Sequence, residues 1–138
     1  MKLKFINILN EMNDMSFNNS KNMMITNDLS DNIVIKCELA ISPKEYTTGV
    51  IGRDKLNDMC GILFKIQPNS KFHMKGVTFP LDMIFISKNG NILDIIQADP
   101  EMDNIIPPSG SYYNLEMNKG FCDLNNISKG CKFSNYKQ

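Results

Sequence analysis

Apolar and polar positions alternate most cleanly in two stretches of this chain. Leu81 to Ser87 and Asn91 to Ala98 flank Asn89-Gly90, a pair favoured in two-residue type I′ turns, so they predict a hairpin. A two-residue loop pairs Ser87 with Ile92, Ile86 with Leu93 and Ile84 with Ile95. Asp82, Ile84, Ile86, Leu93 and Ile95 then share one face, and Met83, Phe85, Ile92, Asp94 and Ile96 the other. Both faces are largely apolar, which predicts a central rather than an edge position.

Further strands are predicted from the same period. Ile33, Ile35, Cys37 and Leu39 alternate with Val34, Lys36, Glu38 and Ala40. Gly61 to Ile66, Lys71 to Lys75, Ser111 to Met117 and Gly130 to Phe133 complete the set. Ser42-Pro43-Lys44-Glu45 has the form of a capping box with proline at the first helical position, so a short helix is expected there, ending at Gly49. Lys119 to Asn126 is a second short-helix candidate. The expected fold is mainly β, a β-sandwich or barrel-like domain with one or two short helices, spanning residues 31–138.

Residues 1–30 read as an N-terminal leader rich in Asn, Met and Ser. Phe5, Ile8 or Leu9, Met12 and Met15 recur at helical spacing, which predicts an amphipathic helix over 3–13, followed by a flexible connector over 18–30. No secretory signal is read in it, and no run approaches the ~20 apolar residues of a membrane helix.

Composition removes several function classes. The 138-residue chain carries 15 basic and 15 acidic side chains, so no overall field draws it to nucleic acid or an anionic membrane. Arg53 is the only arginine and His73 the only histidine, which excludes an arginine phosphate clamp and a multi-histidine metal site. Cys37, Cys60, Cys122 and Cys131 lack CxxC spacing, so no metal is expected; the thiols read as small buried hydrophobes, with a Cys122–Cys131 disulfide as the oxidised alternative. No Gly-rich phosphate loop is present and no cofactor is expected.

Candidate chemistry concentrates in 72–86. Lys71, His73 and Lys75 share one face of the predicted third strand, and Asp82 opens the next. Arg53 and Glu116 are the remaining members of a candidate polar cluster: Arg53, His73, Lys75, Asp82 and Glu116. Two readings of Asp82 stand. It can work with His73 in acid–base chemistry, or it is a buried acceptor held by N–H groups of the bend at Gly76–Thr78 or by Lys75.

In their order and spacing these pieces carry a resemblance. Leu39-Ala40, Ser42-Pro43-Lys44-Glu45, Gly49, Arg53, Leu56, Gly61-Ile62-Leu63-Phe64, Met74-Lys75, Pro80-Leu81-Asp82, Asn89-Gly90, Leu115-Glu116 and Gly120 resemble the uncharacterised family known as domain of unknown function 192, over about Ile35 to Phe133. The resemblance implies a mainly-β, sandwich-like fold and brings no activity. The family usually has tryptophan where this chain has His73, and Asn-Thr where it has Gly76-Val77, so a pocket lined there is altered here. Residues 1–11 are similar to short amphipathic leaders on proteins of T-even-like phages.

Two functions are carried forward. The leading one is a non-enzymatic binding or accessory β-domain which, if phage-encoded, is virion-associated and contacts capsid or other virion proteins through residues 1–15. Its location is then the host cytoplasm or the virion. The alternative is a small hydrolase or lyase acting on a polar small molecule or carbohydrate with Asp82 and His73.

Overall fold

The structure is a computed structural model that describes residues 20–40 and 49–136. The helices expected over 3–13 and at 42–49 lie wholly or almost wholly outside the described residues.

Seven strands form one sheet: β1 (Ser20–Thr26), β2 (Asn32–Ala40), β3 (Cys60–Lys65), β4 (Leu81–Ser87), β5 (Ile92–Ala98), β6 (Ser111–Asn118) and β7 (Lys132–Asn135). Their order is β5-β4-β6-β3-β2-β1-β7. All pairs are antiparallel except β2 with β3. A parallel pair needs a crossover, and the chain between β2 and β3 supplies it. The sheet curls into a half-barrel. At one end its two edges meet: Ile92 N–H donates to Cys131 O, Phe133 N–H donates to Gly90 O, and Asn91 bridges Lys132. Among the described residues there is one short helix, α1 (Phe121–Leu124), whose Phe121 and Cys122 pack into the curl. The mainly-β, barrel-like expectation therefore holds.

Both faces of the sheet are buried, by different means. Inside the curl, Met23, Ile25, Ile35, Cys37, Leu39, Leu63, Ile84, Ile86, Tyr113, Leu115 and Phe133 pack with Phe121 and Cys122 of α1. On the outer face, Ile62, Phe64, Leu81, Met83, Phe85 and Ala98 are covered by irregular segments bearing Val50, Leu56, Met74, Val77, Phe79 and Ile105. Asn118 fastens one of these segments: its side-chain amide donates to Leu56 O at 2.7 Å and its Oδ1 accepts from Leu56 N–H at 2.9 Å.

Four local expectations are corrected. The connector expected over 18–30 contains β1, which lies between β2 and β7 and buries Met23 and Ile25. The predicted strand Lys71–Lys75 makes only an isolated bridge, Phe72 to Ile105, with Met74 N–H donating to Met102 O nearby. The hairpin loop is one residue longer than a type I′ turn. Gly90 N–H donates to Ser87 O, Ser87 pairs with Asn91, and at this turn only Gly90 has positive φ (88°), as in a type I turn closed by a glycine bulge. Ile84 still opposes Ile95, but Ile86 opposes Ile92, which joins the inner core. Finally, β4 is interior as expected, whereas β5 is the last strand on its side.

Candidate functional site

The pleat decides where the predicted polar cluster goes. Asp82 opposes Met117 and Glu116 opposes Met83 across the β4–β6 ladder. Successive residues point to opposite faces, so Asp82 shares the inner face with Met117 and Glu116 the outer face with Met83.

Asp82 is fully buried, and its Oδ2 accepts a 3.0 Å hydrogen bond from Cys122 N–H. Gly120, with φ 97°, caps this one-turn helix without any side-chain bond of its own. The carboxylate supplied across the sheet thus satisfies an N–H that the helix leaves open. Asp82 is a buried acceptor, as one of its two readings has it, but its donor is α1 rather than the Gly76–Thr78 bend or Lys75. His73 is exposed, and its Nδ1 accepts from Lys75 N–H at 3.1 Å. Asp82 and His73 do not meet.

Arg53 also has other duties. Its guanidinium forks onto both oxygens of Glu38 at 2.7 and 3.0 Å, tying the crossover to β2. Thr78 Oγ1 donates to Arg53 O at 3.3 Å.

His73, Lys75 and Glu116 do come together. They line a pocket of about 360 Å³ on the outer face, together with Lys65, Lys71, Phe72, Ile51, Val77 and neighbouring backbone. Phe64 of β3 and Glu116 of β6 form its floor. Glu116 is 5% exposed, and its Oε2 accepts from Asn114 Nδ2 at 2.9 Å. Burial pushes the Glu116 carboxyl up to about 7, with the Asn114 bond working in the opposite direction. Asn114 is itself fully buried, and its Oδ1 has no partner among the described residues. The rim is cationic, with Lys71 and Lys75 exposed; Lys65 alternates with Phe64, and its ammonium lies 5.7 Å from the Tyr112 ring centre, away from the Glu116 floor.

Asn114 and Asn118 escaped the sequence reading. Their signal was the period-2 row Asn114, Glu116, Asn118 between Tyr113, Leu115 and Met117, a polar stripe on a strand whose other face is core.

The cysteines have no site of their own. All four are free thiols, so the Cys122–Cys131 disulfide is not formed. Burial, and for Cys122 the neighbouring Asp82 carboxylate, raises the Cys37 and Cys122 thiols well above their ordinary range. Among the described residues no three His, Cys, Asp or Glu side chains cluster as a metal site would require, and no helix is long and apolar enough to cross a membrane.

Two solved structures share this architecture. A Sinorhizobium meliloti 1021 protein described as a candidate transcription regulator superposes with a TM-score of 0.78 at 26% identity, over 88% of this chain and 96% of that one. A Novosphingobium aromaticivorans DSM 12444 protein of unknown function gives 0.74 at 27% identity, over 83% of this chain and 84% of that one. No curated protein matches the chain. The model of the uncharacterized ACR family, DUF192, matches residues 24–134, and the chain belongs to that family.

Proposed function

We propose that this domain is a non-enzymatic binding module whose ligand enters the outer-face pocket. The observation that carries this reading is Glu116: a buried carboxyl, bonded to one amide, at the base of a cavity whose rim bears lysines and His73. Burying such a group in an apolar sheet face costs stability unless it is bonded. A pocket of this size lies at the small end of those that hold organic ligands, and a few convergent polar groups in an apolar cup are their usual equipment. Among its described lining residues nothing is arranged as a nucleophile with its base. The alternative hydrolase or lyase relied on Asp82 acting with His73, and these two lie on opposite sides of the sheet. Virion association rests on residues 1–15, outside the described residues; mass spectrometry of purified particles tests it, and absence of the chain there refutes it.

The test of the pocket is a fragment screen by ¹H–¹⁵N NMR on the full chain. Ligands should shift Phe64, His73, Lys75 and Glu116 together, and Glu116→Gln should weaken them. A screen whose hits all map elsewhere, or that has none, removes the proposal.

A further inference from the structure

We infer that the pocket takes a small anionic polyol, a phosphorylated or carboxylated sugar, with its anion on the lysine rim and its hydroxyl groups on the Glu116 floor. The inference rests on the reading of this cavity as a ligand site and specifies what fills it.

The rim argues for the anion. Lys71 and Lys75 are exposed lysines lining one cavity, and Glu116 is the sole carboxyl among its described lining residues. The ion pairs seen among the described residues, Arg53–Glu38 and Lys119–Asp99, engage none of these lysines. In a chain of zero net charge this is a local surplus of cations. Lysine ammoniums are mobile point charges that suit a phosphate or carboxylate without demanding one fixed geometry.

The floor argues for hydroxyl groups. Glu116 and Asn114 are embedded between Ile62 and Phe64 on one side and Met83 and Phe85 on the other. Glu116 lines the cavity and receives one bond among the described residues, from Asn114, which lies behind it. A hydroxyl both donates and accepts, so it can serve Glu116 on either side of its titration. A simple aliphatic anion satisfies the rim and leaves this floor unpaired, which binding sites of this kind penalise. Phe72 adds an apolar wall, half-buried and edge-on to Phe85 at 5.8 Å between ring centres, against which the carbon face of a sugar ring can lie.

The experiment is a titration of the full chain with glucose 6-phosphate, glucuronate, glucose, inorganic phosphate and hexanoate, read by calorimetry and by NMR shifts at His73, Lys75 and Glu116. At least one of the two anionic sugars should bind about tenfold or more tighter than glucose, phosphate or hexanoate. The double variant Lys71→Ala/Lys75→Ala, whose side chains are both exposed, should lose about tenfold of that affinity and keep its fold. Glucose binding as tightly as glucose 6-phosphate and glucuronate at these residues overturns the anion and leaves the pocket reading standing. Hexanoate or phosphate binding as tightly overturns the polyol. Undiminished affinity in the double variant overturns the rim. If none of these probes binds while the fragment screen finds other ligands in the pocket, the ligand class is wrong. If neither experiment finds a ligand there, the pocket reading falls with it.

Discussion

Asp82 and Glu116 stand one step apart on paired central strands and point to opposite sides of the sheet. Asp82 faces Met117 across the ladder, and Glu116 faces Met83. Each is almost wholly removed from solvent, at 0% and 5% exposure. One carboxyl anchors α1 against the inner core; the other lies under the pocket. The pleat separates a structural role from the proposed binding role, so substitutions at the two positions should have separable effects.

Asp82→Ala removes the acceptor of Cys122 N–H and leaves a void beside α1. Losing this buried hydrogen bond, orphaning the N–H and opening the void together cost on the order of 2–4 kcal/mol. Urea denaturation should show that loss as a lower midpoint. Ligand-induced shifts at His73 and Lys75 should persist in the variant below its transition. An Asp82→Ala protein as stable as the wild type contradicts the helix-anchoring role; one that folds but loses pocket binding contradicts the separation of the faces.

Glu116 should make the fold less stable as pH rises towards neutrality. Its ordinary value is 4.5 and burial raises it to about 7 in the folded chain. Between those values the folded state holds a proton that the unfolded chain has released. Stability from this group is therefore fully present below about 4.5 and is lost as pH rises through 7, by ~3 kcal/mol in all. Glu116→Gln keeps the shape and cannot titrate. Denaturation midpoints from pH 4.5 to 8 should fall more steeply for wild type than for this variant. Parallel profiles would mean that Glu116 titrates normally in the fold.

The two faces of the central hairpin were legible in the sequence because alternation fixes which residues share a side. It put Asp82 with Ile84 and Ile86, where the structure has it. Even in 71–75, where no ladder forms, Met74 turns inward while Lys71, His73 and Lys75 stay exposed. What alternation cannot give is the partner across each face. His73 and Asp82 are close in sequence, yet the bend at Gly76 (φ 83°) and Pro80 carries the first over the outer face and leaves the second on the inner one. β1 was missed for a different reason. Ser-Lys-Asn-Met-Met-Ile-Thr is poor in strand formers, and only Met23 and Ile25 face the inner core. Its place in the sheet comes from pairing with β2 and β7, which is tertiary information.

Thiol reactivity should report the packing. Cys37, Cys122 and Cys131 are buried and their thiols are raised; Cys60 is half-exposed at the start of β3. Cys131 Sγ donates to Asp28 Oδ1 at 3.2 Å, which holds it as a thiol. Iodoacetamide at neutral pH should label Cys60 first and the other three only on unfolding, with site occupancy read by peptide mass spectrometry. Rapid native labelling of Cys122 or Cys131 would mean that α1 opens readily.

Gly61→Ala probes the pocket from beneath. Gly61 sits where β3 pairs with β6 and Met117 covers the strand; a Cβ there would run into Met117 Sδ and lie 2.8 Å from Glu116 O. The sulfur can swing away, but the carbonyl belongs to a strand paired on both sides, with β3 and β4. Relief therefore requires β6 to move, at a cost of about 1–3 kcal/mol. Glu116 rides on that backbone, so its carboxyl and the Asn114 bond should shift with it. Thermal melting should fall by several degrees, as ~1 kcal/mol does in a domain of this size. Amide resonances of Asn114 and Glu116 should move more than those of β1 or β7. If the variant melts as the wild type does and those resonances stay put, the close approach of β3 to β6 is not what holds the pocket floor in place.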